Sequence, residues 1–150
     1  MFDRLFRMFA PTRAADPFFG QLTLMKIRGK PSYWECERRF APVDRSVSLF
    51  IDTSVDGALP TEAQRDFFRW TETHYDEICA VLEGAFREDA WASRLMKGGF
   101  QEEFSLSSFS ISLQPKPEDE WEMSFDSKSD PHLFSPTLKG WKVQRICIDG

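Results

Sequence analysis

His74 and Glu77 are the first residues in this chain whose types and spacing could do chemistry. They lie three apart, which makes them neighbours if the segment is helical. A His-x-x-Glu pair could supply two metal ligands, or a general base and the carboxylate that orients it. A protein zinc site needs three or four such ligands. The further soft candidates are His132 and three scattered cysteines, Cys36, Cys79 and Cys147. A metal-dependent enzyme or small hydrolase would have to gather His74, Glu77 and His132 into one cleft. His132 also lies near Asp126, Asp130 and several serines, but there is no Gly-x-Ser-x-Gly elbow to present a nucleophile. An activated thiol wants positive charge beside it. Cys36 has Arg38 two residues away, but Glu35 and Glu37 flank it directly. Cys36 and Cys79 therefore read as small apolar fillers. Gly98-Gly99 matches neither glycine-rich phosphate loop, so nucleotide use is not suggested. The residues assign no catalytic role, no metal and no cofactor.

Charge points elsewhere. The net charge is −5 over 150 residues, an acidic balance that phosphate backbones repel, so nucleic acid is a poor partner. The charge is uneven. Residues 60–90 hold 3 basic and 8 acidic groups, residues 102–130 hold 2 and 8, and residues 1–59 are net positive with 9 and 7. Glu62, Asp66, Glu72, Asp76 and Glu83 fall opposite an apolar stripe at helical spacing. They form a candidate docking surface for a basic partner, where complementary charge speeds association and sets specificity. Asp66 with Arg69 and Glu83 with Arg87 are spaced to pair, whereas Glu72 and Asp76 repel mildly.

The elements that must position these groups can be read in order. A hydrophobic share of 41% with 29% charged residues suits a globular chain, and 15% aromatic residues argue for a large aromatic core. Residues 1–15 carry Phe2, Leu5, Phe6 and Phe9 at helical spacing, an amphipathic segment that could dock on the domain or swap between copies in a homodimer. Residues 10–17 hold two prolines and read as a connector. Strands follow at 21–28, 33–40 and 46–52. Thr61-Glu-Ala-Gln64 has the form of a capping box and opens one long amphipathic helix over about 61–88. Past Gly98-Gly99 come Phe104 to Leu113, with a phase change that predicts a bulge near Ser107-Ser108, and then Glu120 to Asp126. His132 to Leu138 holds Pro136 and is expected at a sheet edge, followed by Trp141 to Ile148. The expected fold is α+β. It is a mostly antiparallel sheet in the order strands, helix, strands, with the single helix on one face and residues 16–150 as one domain. No apolar run reaches the ~18 residues a membrane helix needs. An odd, sparse set of cysteines suits a reducing, cytoplasmic setting.

Residues 16–90 also carry a pattern: Asp16-Pro17-x-Phe19-Gly20, a hydrophobic strand, Tyr33-Trp34, and the helix start Pro60-Thr61-Glu62-Ala63-Gln64. This resembles uncharacterised bacterial domains of unknown function, some of which occur near polymorphic toxins and are associated with immunity proteins. The ending Gly140-Trp141 to Ile148-Asp149-Gly150 is a softer match. The resemblance implies a non-enzymatic protein that neutralises a toxin by binding it. It marks turns, strand aromatics and a helix cap rather than a catalytic signature.

Overall fold

A computed structural model of the chain describes residues 11–55 and 57–150. The amphipathic segment expected within residues 1–15 falls largely outside the described residues. Four strands come first: β1 (Arg13–Asp16), β2 (Gly20–Met25), β3 (Tyr33–Phe40) and β4 (Arg45–Asp52). Four helices follow: α1 (Glu62–Thr73), α2 (Tyr75–Glu88), α3 (Ala92–Leu95) and α4 (Phe100–Glu103). Four more strands complete the chain: β5 (Phe104–Ile111), β6 (Glu120–Ser127), β7 (Leu133–Lys139) and β8 (Lys142–Asp149).

This corrects the expected fold. All eight strands form one mixed sheet in sequential order, β1 through β8. β4 and β5 pair in parallel, and the other neighbours are antiparallel. A parallel pair cannot be joined by a tight turn and needs a crossover of a dozen or more residues. The segment between Asp52 and Phe104 supplies it. That segment holds a group of short helices flanked by strands, the longest of 14 residues, in place of one long helix.

Local chemistry explains the break at His74. Thr71 Oγ1 donates to the Phe67 carbonyl, Thr73 Oγ1 to that of Arg69, and His74 Nδ1 lies 2.9 Å from that of Trp70. Side chains that bond the carbonyl four residues back compete with the backbone ladder and bend helices. Three of them within one turn leave His74 at φ −105° and ψ 14°, outside helical geometry. The apolar stripe expected through Ala63, Phe67, Trp70, His74, Ile78, Leu82 and Ala85 or Phe86 shifts accordingly. Phe68, Thr71, Tyr75 and Cys79 face the core beside Phe67, Ile78, Leu82 and Phe86, while Ala63 stays exposed and Trp70 and His74 are only half-buried.

The helix start is as expected. Thr61 Oγ1 accepts from the Gln64 N–H at 3.2 Å, and Gln64 Oε1 accepts from the Thr61 N–H at 3.0 Å. Gln64 is also 1% exposed, and its Nε2 donates to the carbonyls of Asp52 and Ser112 at 2.8 and 3.0 Å. One side chain thus ties the helix start to the ends of both central strands.

The helices cover one face of the sheet. Phe68 stacks on Phe109 at 5.9 Å and meets Phe40 edge-on at 5.8 Å. Further along, Phe86 meets Phe104 and Phe100 edge-on at 4.8 and 4.9 Å. Edge-to-face pairs of this kind stabilise beyond their buried area.

Two further strand expectations change. The connector over 10–17 contains a paired strand, since β1 lies between the two prolines and forms a sheet edge against β2. Asp16 closes the following turn, and Gly20 supplies the positive φ of 79° that a side chain would resist. Pro136 does not mark an edge, because β7 pairs with both β6 and β8. Its missing N–H falls where the β6–β7 pairing skips Ser135 and Pro136, and the Ser124 and Ser135 hydroxyls bond there at 2.8 Å. The expected bulge is present, with the β5–β6 register shifting between Leu106 and Ser108.

Two buried carboxylates hold the periphery. Asp16 Oδ1 accepts from the N–H groups of Phe18 and Phe19, and Oδ2 pairs with Arg65 at 2.9 Å. Glu103 accepts from the Ser127 hydroxyl and from both the N–H and the hydroxyl of Ser129. Burial pushes both carboxyls upward, but these donors outweigh it and hold both below their ordinary values. A carboxylate with a depressed folded pKa stabilises above its unfolded pKa, about 4 for Asp and Glu. That stability is lost as pH falls through the lower folded value. The urea midpoint should therefore drop between pH 5 and pH 2.5. In Asp16→Asn/Glu103→Gln it should start lower at pH 6 and fall less steeply. Parallel curves for the two proteins would contradict this account.

Candidate protein-binding face

The structure engages four of the five helix carboxylates within the chain. Glu62 pairs with Arg65 at 3.1 Å and Arg69 at 3.0 Å, and Asp66 with Arg69 at 2.7 Å. Glu72 accepts from the Ala41 N–H at 2.9 Å and anchors α1 to the turn before β4. Glu83 accepts from Arg87 and from the Phe100 N–H, at 2.9 and 3.1 Å. Asp76 is exposed at the start of α2, where an acidic group favours the helix dipole. Much of the acidity read from this helix is thus matched by its own arginines or spent on structure.

The two histidines are not brought together. His74 stacks on Trp70 at 4.8 Å and lies 5.9 Å from Trp141, which follows the C-terminal end of β7. His132 precedes the other end of β7, with Nδ1 2.5 Å from Asp130 Oδ1 and its ring 4.8 Å from Trp91. Seven residues of strand at about 3.3 Å each separate those ends. Among the described residues no group of three His, Cys, Asp or Glu side chains could hold a metal ion. Cys36 and Cys79 are buried, and burial pushes their thiols up to about 12 and about 11. Both are poor nucleophiles near neutral pH.

The face of the sheet turned away from the helices is different. Alternation along β3 and β4 places Tyr33, Glu35 and Glu37 beside Asp52, Phe50 and Ser48 in direct register. The Tyr33 and Phe50 rings meet edge-on at 5.9 Å, and both are half-buried with no helix packed on them among the described residues. Asp52 lies opposite Tyr33 and Glu35 opposite Phe50. Glu35 and Glu37 line a shallow cleft with Gln21 and Thr23. Asp52, Glu120 and Glu122 line a second, of about 330 Å³, with Ser110, Thr137 and Arg145. Arg145 reaches Glu120 at 3.6 Å. Among the described residues Glu35, Glu37, Asp52 and Glu122 form no salt bridge.

Two of these groups are also perturbed. Partial burial raises the Asp52 carboxyl above its ordinary value. Partial burial likewise raises Glu122, with Arg145 opposing the shift and Asp149 adding to it. A carboxyl whose pKa is raised by folding costs stability once ionised at neutral pH. Perturbed groups clustered in a cleft mark candidate functional sites. Nothing in the helix sequence points to this patch. Its signal was the polar parity of strands 33–40, 46–52 and 120–126, which becomes one surface only when the strands are placed side by side.

No helix among the described residues is long and apolar enough to cross a membrane. No protein family, curated protein or solved structure matches the chain.

Proposed function

We propose that the chain is a protein-binding domain that captures a basic partner on the open face of its sheet. The carrying observation is the half-buried Tyr33–Phe50 pair, with Asp52 and Glu35 directly opposite its two rings, Glu37 and Glu122 further along the same face, and none of the four in a salt bridge among the described residues. Interfaces are commonly built this way, with aromatic anchors inside a polar rim. Arginine fits best as the partner's contact residue. Its planar guanidinium stacks on an aromatic ring and forks onto a carboxylate. Binding by an immunity-type protein, the reading that the resemblance over residues 16–90 implies, asks for such a surface and for no catalytic group.

The test uses the product of the neighbouring reading frame as the probe. Calorimetric titration is expected to show a complex whose affinity falls at least tenfold between 50 and 300 mM salt, as exposed charge pairs are screened. A complex indifferent to salt, or no complex, would count against this reading.

A further inference from the structure

β8 is the last strand of the sheet and pairs on one side only, with β7. Its other edge presents backbone N–H and C=O groups with no strand beside them among the described residues. Such edges are commonly blunted by proline, lysine or a bulge. Here Lys142 and the register shift against Thr137 and Leu138 sit in the first half of the strand. Arg145 to Asp149 holds no proline and no bulge, and its two charged residues, Arg145 and Asp149, are of opposite sign. Its exposed side chains alternate with Ile146 and Ile148, which pack partly against the core.

We propose that this edge pairs with the same edge of a second copy, antiparallel about a two-fold axis through Cys147. Directly opposed residues in an antiparallel pair share a face of the sheet. Self-pairing therefore allows only registers that centre on a residue. Centring on Cys147 places Arg145 opposite Asp149 of the copy, twice, and Ile146 opposite Ile148, twice. Centring on Arg145 sets two guanidiniums face to face. Centring on Ile146 sets Val143 against Asp149 and Arg145 against Cys147. Of these three, the Cys147 register alone pairs opposite charges and keeps the apolar residues together. A two-fold contact must be self-complementary in this way. The proposal does not rest on the open-face reading.

The register has a chemical readout. Opposed residues in an antiparallel pair have Cα atoms about 4.5–5.5 Å apart, within the range a disulfide spans. Cys147 is exposed and its thiol is free, while Cys36 and Cys79 are buried. Diamide should therefore link two full-length chains through Cys147. Two thiols lose two hydrogens to form one S–S bond, and diamide takes up those hydrogens to become its hydrazine.

Sedimentation of the full chain between 5 and 500 μM is expected to show a monomer–dimer equilibrium. R145D and D149R should each weaken it at least tenfold, because each sets like charges opposite one another. The double variant R145D/D149R restores opposite charges and should return dimerisation to within threefold of the parent. Near-UV circular dichroism of each variant reports whether it is folded. A fold lost in one single variant leaves the other and the double variant to decide. A monomer throughout the range would overturn the proposal. So would a dimer insensitive to both single changes, or a double variant no better than the singles.

Discussion

Replacing Gln64 with alanine should destabilise the fold by about 3 kcal/mol, more than any surface change in the molecule. The side chain closes a reciprocal cap with Thr61 and donates to two carbonyls, those of Asp52 and Ser112. Losing a cap costs roughly 1 kcal/mol. Leaving a poorly solvated carbonyl without its donor costs about 1–3 kcal/mol. A shift of about 3 kcal/mol corresponds to roughly 10 °C in the melting temperature of a domain this size. Gln64→Glu keeps the cap acceptor but points an oxygen at both carbonyls, and should be at least as damaging as alanine. Thr61→Ala removes the cap acceptor but orphans neither strand carbonyl, and should cost no more than about 1 kcal/mol. Urea unfolding of the three variants checks the order. A loss below 1 kcal/mol for Gln64→Ala would mean that the helix start and the two central strands are held together by something else.

Changing Glu35, Asp52 and Glu122 together to lysine should weaken partner binding by about 100-fold or more. Each reversal replaces an attraction with a repulsion, and an exposed charge pair at close range is worth about 1 kcal/mol even in water. Three such changes amount to about 3 kcal/mol, or roughly two decades in Kd. The effect should fall mainly on the association rate and should shrink at high salt. Phe50→Ala tests the anchor rather than the rim. Truncating a central aromatic typically costs about 2 kcal/mol or more, seen mostly in dissociation. Folding should tolerate neutralising Asp52 and Glu122 to Asn and Gln, and these variants accompany the lysine changes. Their raised carboxyl pKa values mean that removing the negative charge relieves a cost at neutral pH. A binding defect in these variants can therefore be separated from loss of structure by measuring both.

Much of the local structure is legible in the amino acids. Thr61 and Gln64 announce the helix start because capping is a short-range exchange between residues three apart. Val47, Leu49 and Ile51, like Trp121, Met123 and Phe125, announce their buried faces by strict alternation. The phase change from Leu106 to Phe109 announces the bulge.

What the sequence concealed depends on distant partners or on competition within a turn. Thr71, Thr73 and His74 look like ordinary helix residues until their side chains are seen bonding the carbonyls four positions back. Pro136 reads as an edge residue, but a skipped position in the pairing absorbs it inside the sheet. The parallel pairing of β4 with β5 joins Ser48 to Ser108, sixty positions apart, and no local pattern encodes it. The open face suffers most from this. Glu35 and Asp52 belong to different strands, and Glu122 comes from the other half of the chain. The helix carboxylates were the more visible feature because they lie together in sequence, although Arg65, Arg69 and Arg87 pair with three of them.

The most direct test sets the two acidic surfaces against each other. Binding of the basic partner is measured in one titration series for three proteins: the parent, Glu35→Lys/Asp52→Lys/Glu122→Lys on the open face, and Glu62→Lys/Asp66→Lys/Asp76→Lys on the helices. The expected result is a loss of about 100-fold or more for the open-face variant and less than about threefold for the helix variant, with both folded. The reverse order, with the helix variant losing binding and the open-face variant keeping it, would contradict the assignment of the sheet face.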